Sequence, residues 1–142
     1  MIVDTLDRFI EAQEIMYETA LDEIKSGMKR SHWIWYIFPQ LRELGVSAMA
    51  NYYGITGLDE AKAYMAHPML SARLIEISEA LLCLKENDPE RVLGFIDAVK
   101  VRSCMTLFAE VSKEDSVFHR VLQKFYNGEK DDKTLKLIGK IV

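Results

Sequence analysis

The segment 29–35 gathers two cations, a serine, a histidine and two tryptophans. In order they are Lys29, Arg30, Ser31, His32, Trp33 and Trp35. If Ser31 caps a helix, free backbone N–H groups lie beside the cations, and the helix dipole also attracts an anion. Indole rings add flat faces on which another ring can stack. The segment therefore predicts a site for a small anionic ligand, such as a nucleotide. The alternative is that the cations are solvated and the tryptophans belong to the core.

A second set of polar residues interrupts an apolar run at 97–108. On a helix, Asp97 and Lys100 are neighbours at i,i+3, and Ser103 follows on the same stripe as a candidate ligand-binding residue. The simpler interpretation is a surface ion pair that contributes about 0.2–0.5 kcal/mol. A buried lysine paired with an aspartate would instead indicate a functional site. We take Asp97, Lys100 and His32 as the candidate catalytic residues, since histidine is a residue type that can act as an acid or a base near neutral pH.

Three further candidate ligand-binding side chains lie between the expected helices. Gln40 follows a proline, Tyr53 lies in the glycine-rich stretch 45–57, and His67 stands directly before Pro68. For Tyr53 the alternative is an aromatic residue that fills the core. For His67 the alternative is a helix cap or terminator.

The composition is that of a soluble globular protein. The 142 residues are 49% hydrophobic and 28% charged, with net charge −4 and a pI near 5.4. This length can form one core, the hydrophobic content is too high for disorder, and no apolar run approaches the ~20 residues of a membrane span. The mild acidity offers no electrostatic footprint for nucleic acid. We expect a cytoplasmic protein, monomeric or weakly dimeric, with neither a membrane nor a nucleic-acid partner.

The cysteines and histidines do not form a metal-binding pattern. The two cysteines, Cys83 and Cys104, are far apart and lack CxxC spacing. None of the three histidines belongs to HExxH or to an i,i+4 pair of histidines. We therefore expect free thiols, no metal site and no cofactor.

Apolar residues recur at three- and four-residue spacing along most of the chain, which predicts helices. The first helix is expected over 4–26 with Gly27 as its stop, a short one after Ser31, and a turn-rich connection over 45–57. Other helices are expected at about 58–66, from Pro68, at 89–95, 97–110 and 117–125, and after Asp131 or Asp132. No strand or hairpin pattern competes with them. The predicted fold is all-α, a single compact domain of residues 1–142 with about six to seven short helices.

Three blocks of this sequence resemble a known protein family. They are SHWIWYIFPQL (31–41), EAKAYMAHPML (60–70) and DAVKVRSCMTLF (97–108). In this order they are similar to the bacterial family called domain of unknown function 1810. The resemblance covers nearly the whole chain and implies a predominantly helical fold, but no established activity. It also implies that Cys104 is not catalytic, because the family pattern usually has serine there.

Two functional hypotheses follow from the sequence. The first is a pocket between segments 29–40 and 97–106 that binds a small anionic ligand, for example a nucleotide. The second is a non-enzymatic protein-interaction domain, in which the aromatic segment 33–38 is partly exposed and anchors a partner. The sequence specifies neither the ligand nor a reaction.

Overall fold

The computed structural model describes residues 6–141, and this part of the chain is built from α-helices. In chain order they are α1 (Asp7–Ser26), α2 (Ile34–Ile37), α3 (Ala48–Tyr53), α4 (Leu58–Ala66), α5 (Pro68–Leu82), α6 (Pro89–Leu93), α7 (Phe95–Glu110), α8 (Val117–Tyr126) and α9 (Asp132–Leu137). A 3-10 helix (Arg42–Leu44) lies between α2 and α3. Residues 6–141 contain no strand, and Leu41 and Ile55 form an isolated parallel bridge. The all-α prediction is confirmed, with nine α-helices in the described residues where six to seven were expected.

Local sequence signals explain most of the helix boundaries. Five helices begin at a side chain that accepts a hydrogen bond from the first turn, as helix caps do. These caps are Ser47, His67, Asp88, Ser116 and Asp131. Gly27 ends α1 in the left-handed conformation, with φ of 86°, which a glycine adopts without strain. The expected residues 4 and 5 of the first helix lie outside the described residues.

Two expectations about local structure are wrong. Ser31 caps no helix, because α2 begins at Ile34 and the Ser31 hydroxyl instead donates to Glu23 Oε2 at 2.6 Å. The stretch 45–57 is more than a connection, because it contains α3. The Ser47 hydroxyl accepts a hydrogen bond from the N–H of Ala50 at 3.1 Å and so starts this helix.

The helix α7 is the central element of the core. It packs against α8, α6 and α9, and it also contacts α4 and α2. Residues 103–109 are all buried, so the second half of this helix lies mostly within the core. Helices α1 and α5 pack against each other, and α5 also contacts α8. The first half of α7 is therefore the part left to form a surface site.

Both cysteines are free thiols, as expected. Cys104 is fully buried in α7, and burial raises the pKa of its thiol well above the ordinary value, so it stays protonated at neutral pH. Cys83 is exposed at the end of α5.

No helix within residues 6–141 is long and apolar enough to cross a membrane.

Candidate functional site

An open cleft of about 470 Å³ lies where three parts of the chain meet. One part is the segment from α2 to α3, the second is the first half of α7, and the third is the start of α9. Its lining residues are Trp35, Gln40, Leu44, Gly45, Val46, Ser47, Ala50, Phe95, Ile96, Val99, Lys100, Ser103, Asp131 and Lys133. The volume falls within the range of ~300–1,000 Å³ typical of small-molecule sites.

Lys100 is the cation in the cleft wall formed by α7. Its Nζ lies 4.8 Å from the centroid of the Trp35 ring, a distance at which an ammonium group is attracted to an indole face. Asp97 Oδ1 lies 3.8 Å from the same Nζ, which is longer than a hydrogen bond. Among residues 6–141 the Lys100 ammonium makes no hydrogen bond, so its donors remain available to a ligand.

Asp97 is neutralised mainly by another lysine. Its Oδ2 lies 2.8 Å from Lys29 Nζ, and the Lys29 side chain is 7% exposed. The Lys29 ammonium also donates to the carbonyl oxygen of Ser31 and lies 4.8 Å from the ring centroid of Trp33. Lys29 therefore ties segment 29–33 to α7, while Lys100 faces the cleft.

The backbone N–H groups of segment 29–33 already bind an anion, the carboxylate of Glu23. Glu23 Oε1 accepts hydrogen bonds from the N–H groups of Arg30 and Ser31, at 2.8 and 2.9 Å, and from Trp33 Nε1 at 2.9 Å. Burial raises the pKa of Glu23, but these bonds and the one from the Ser31 hydroxyl outweigh it and lower the pKa to about 2. The carboxylate is thus charged at neutral pH and occupies the N–H groups expected to receive a ligand.

A second, narrow cavity shares Trp35, Gln40 and Lys100 with the cleft and extends towards Tyr53. Burial, followed by the neighbouring Tyr52, raises the pKa of Tyr53, which therefore stays protonated at neutral pH. The Tyr53 ring packs against that of Tyr36, with centroids 5.0 Å apart. Tyr53 thus helps to fill the space behind the cleft.

A buried ion pair fixes the chain that follows α3. Arg8 donates to the carbonyl oxygens of Tyr52 and Gly54, at 2.7 and 2.8 Å, and pairs with Glu60 at 2.9 Å. Glu60 also accepts a hydrogen bond from the N–H of Thr56 at 3.0 Å. These bonds hold residues 52–56 and, through them, the helix that forms one wall of the cleft.

The structure brings some of the predicted site residues together and separates others. Trp35, Gln40, Lys100 and Ser103 line the cleft, Tyr53 lines the narrow cavity, and Lys29 and Asp97 lie next to Lys100. The other five candidates line neither cavity, and they are Arg30, Ser31, His32, Trp33 and His67. Trp33 is fully buried in the core, His32 is exposed, and the His67 ring accepts a hydrogen bond from the N–H of Leu70 as a cap.

The sequence interpretation missed the apolar lining of the cleft and one buried carboxylate. Phe95 and Val99 fall in the expected helices 89–95 and 97–110, Ile96 falls between them, and only the tertiary fold leaves all three uncovered. A signal for Glu23 was present, because it directly precedes Ile24 and follows Ala20 by three residues on the buried face of α1. A carboxylate on a buried helix face requires hydrogen-bond donors from elsewhere in the chain.

The aromatic segment 33–38 presents little of its surface to a protein partner. Five of its six residues are buried, and only Trp35 is partly accessible.

Within residues 6–141, no three His, Cys, Asp or Glu side chains group in a way that could hold a metal ion.

Comparison with known proteins identifies one protein family and a similar crystal structure. A family model described as "Protein of unknown function (DUF1810)" matches residues 3–138. A crystal structure of the conserved hypothetical protein Rv1873 from Mycobacterium tuberculosis is similar to this structure, with a TM-score of 0.91 and 40% sequence identity. The match covers 94% of this chain and 95% of that one. No curated protein matches the sequence.

Proposed function

Since the chain belongs to the DUF1810 family of proteins of unknown function, we infer its function from the cleft and propose that this cleft binds a small organic anion. The observation that carries the proposal is the position of Lys100. Its ammonium group lies in the cleft wall, against the Trp35 ring, and makes no hydrogen bond within residues 6–141. An anionic group supplies the charge-assisted hydrogen bonds that this ammonium lacks.

The polar groups around Lys100 support the same assignment. The side-chain amide of Gln40 lines the cleft and makes no hydrogen bond to another described residue, so it offers both donors and an acceptor. The partly exposed Trp35 ring provides a flat apolar face beside the ammonium. A small number of polar groups on a largely apolar wall is the usual composition of a ligand site.

The proposal concerns binding, and Lys100 is its anion contact. His32, one of the candidate catalytic residues, is exposed and does not line the cleft. Asp97 acts through Lys100 and Lys29, because its two oxygens lie nearest to their ammonium groups. It is therefore a positioning residue for the cation.

The proposal is tested by titrating ¹⁵N-labelled protein with phenylacetate, phenyl phosphate and adenosine monophosphate. The chain has two tryptophans, and a Trp35→Phe variant assigns their two indole N–H signals. At least one of the three anions is expected to shift the Trp35 signal saturably. Lys100→Gln is expected to weaken that binding about tenfold or more, since charge-assisted hydrogen bonds contribute about 1.5–3 kcal/mol each.

Lys62→Gln is the matched control, because Lys62 is exposed on α4 and does not line the cleft. It makes the same change in net charge and is expected to leave binding unchanged. The proposal is wrong if none of the three anions shifts the Trp35 signal. It is also wrong if Lys100→Gln binds as tightly as Lys62→Gln while both variants remain folded.

A further inference from the structure

The charges around the cleft sum to a single positive charge. Lys29 and Lys100 share the carboxylate of Asp97, at 2.8 and 3.8 Å, which leaves a net charge of about +1 at this end. The other charged residues of the lining, Asp131 and Lys133, have opposite signs and cancel. The Asp131 carboxylate is also committed to capping α9, where it accepts hydrogen bonds from Thr134. The electrostatics of the cleft therefore match a ligand with one negative charge.

The rest of the cleft presents uncovered apolar side chains. Phe95 and Ile96 are 67% and 68% exposed at the start of α7, and Val99 is 50% exposed one turn later. Val46, from the connection before α3, also lines the cleft and is 97% exposed. Ile96 precedes Lys100 by one helical turn on α7, and both line the cleft, so the cation and the apolar surface belong to one continuous wall. A ligand that satisfies both must carry an anionic head on an apolar body.

We propose, on the basis of the proposed function, that the ligand is a monocarboxylate with an apolar body. Its carboxylate pairs with Lys100, and its apolar body covers Phe95, Ile96 and Val99. A carboxylate carries one charge at neutral pH and accepts several hydrogen bonds. A phosphate monoester carries about −1.5 to −2 charges, which exceeds the charge that this cleft neutralises. The same comparison disfavours the nucleotide suggested by the sequence.

Four related compounds distinguish the contribution of the anionic group to binding from that of the apolar body. They are phenylacetate, acetate, 2-phenylethanol and phenyl phosphate. Phenylacetate is expected to bind most tightly, with the Trp35 indole signal as the readout. Removing the ring in acetate, or the charge in 2-phenylethanol, is expected to weaken binding about tenfold each. Phenyl phosphate is expected to bind more weakly than phenylacetate.

A pair of protein variants locates the apolar body. Phe95→Ser is expected to weaken phenylacetate binding about fivefold, because part of the ring contact is lost, and to leave acetate unchanged. Ile15→Ser is the control, since Ile15 is 80% exposed on α1 and does not line the cleft. Both side chains are exposed, so thermal unfolding is expected to show that both variants fold.

The outcomes distinguish this inference from the function on which it rests. If phenyl phosphate or adenosine monophosphate binds through Lys100 more tightly than phenylacetate, the cleft is an anion site and the monocarboxylate assignment is wrong. The assignment of an apolar body to the ligand is wrong if acetate binds as tightly as phenylacetate. It is also wrong if Phe95→Ser and Ile15→Ser bind phenylacetate equally tightly. If no anion binds in the cleft, both the inference and the proposed function are wrong.

Discussion

Replacement of Glu23 tests whether the basic and aromatic segment after α1 is held by an internal anion. The carboxylate accepts four hydrogen bonds, from the N–H groups of Arg30 and Ser31, the Ser31 hydroxyl and the indole of Trp33. Glu23→Gln keeps the shape of the side chain and removes its charge. Glu23→Ala removes the acceptors as well.

The structure gives the expected size of each effect. Hydrogen bonds to a charged group contribute about 1.5–3 kcal/mol, against about 0.5–1.5 kcal/mol for neutral ones, and the cost of burying the charge offsets part of this gain. We therefore expect Glu23→Gln to lower the free energy of unfolding by about 2 kcal/mol. Glu23→Ala also leaves the indole N–H of the fully buried Trp33 without a partner, at a further cost of about 1–3 kcal/mol.

The dependence of stability on pH provides the sharper measurement. The pKa of Glu23 is about 2 in the folded protein, against 4.5 for an ordinary glutamate. A folded-state pKa below the unfolded value means that the stabilisation is fully present above about pH 4.5 and is lost as the pH falls towards 2. Urea unfolding followed by circular dichroism is therefore expected to show a difference between wild type and Glu23→Gln that shrinks over this window.

Glu18→Gln is the matched control, because Glu18 is exposed on the same helix. It removes the same charge and is expected to change stability by less than about 0.5 kcal/mol. Equal stability of the two variants at pH 6 would contradict this role of Glu23. A difference between wild type and Glu23→Gln that persists unchanged down to pH 2 would contradict it as well.

Two further predictions concern packing next to the site. Trp33→Ala is expected to lower the free energy of unfolding by about 3–5 kcal/mol because this ring is fully buried. Trp35→Ala is expected to lower it by less because its ring is partly exposed. Thermal melts in the opposite order contradict the structure. Gly54→Ala is expected to lower the free energy of unfolding by about 1–3 kcal/mol, since the added Cβ would lie 2.3 Å from Arg42 Cα. Gly57→Ala is the control, because no atom lies within 4 Å of a Cβ added there. Equal melting temperatures for the two variants contradict this prediction.

The helix positions that the sequence predicted well are those fixed by local chemistry. Pro68 at the first position of α5, with His67 as its cap, and Gly27 after α1 each act within one helical turn. Such signals can be read from a single chain because both partners of each interaction are near neighbours. The all-α class follows from the same local periodicity.

The helix α3 was missed because its stability depends on packing against other parts of the chain. Six residues are too few to form a helix alone, and the segment includes an asparagine and two tyrosines, which are weak helix formers. Gly45 lets Ala50 approach closely, since a Cβ on Gly45 would lie 2.4 Å from that of Ala50. Arg8 then holds the chain after the helix through the carbonyl of Gly54. None of these pairings is visible in the spacing of apolar residues.

The same distinction explains which candidate site residues line the cleft. The i,i+3 pair of Asp97 and Lys100 was readable from the sequence because both residues share one helix. The sequence also showed a local positive segment at 29–30, but its capacity to bind an anion depends on distant partners. Lys29 is paired with Asp97, and the N–H groups that follow it are occupied by Glu23. A cluster of cations in a sequence therefore indicates where positive charge is concentrated, but not whether the fold pairs that charge with an internal anion. Lys100, which shares Asp97 with Lys29, makes no hydrogen bond within the described residues, and for this reason we propose it, rather than Lys29, as the anion contact.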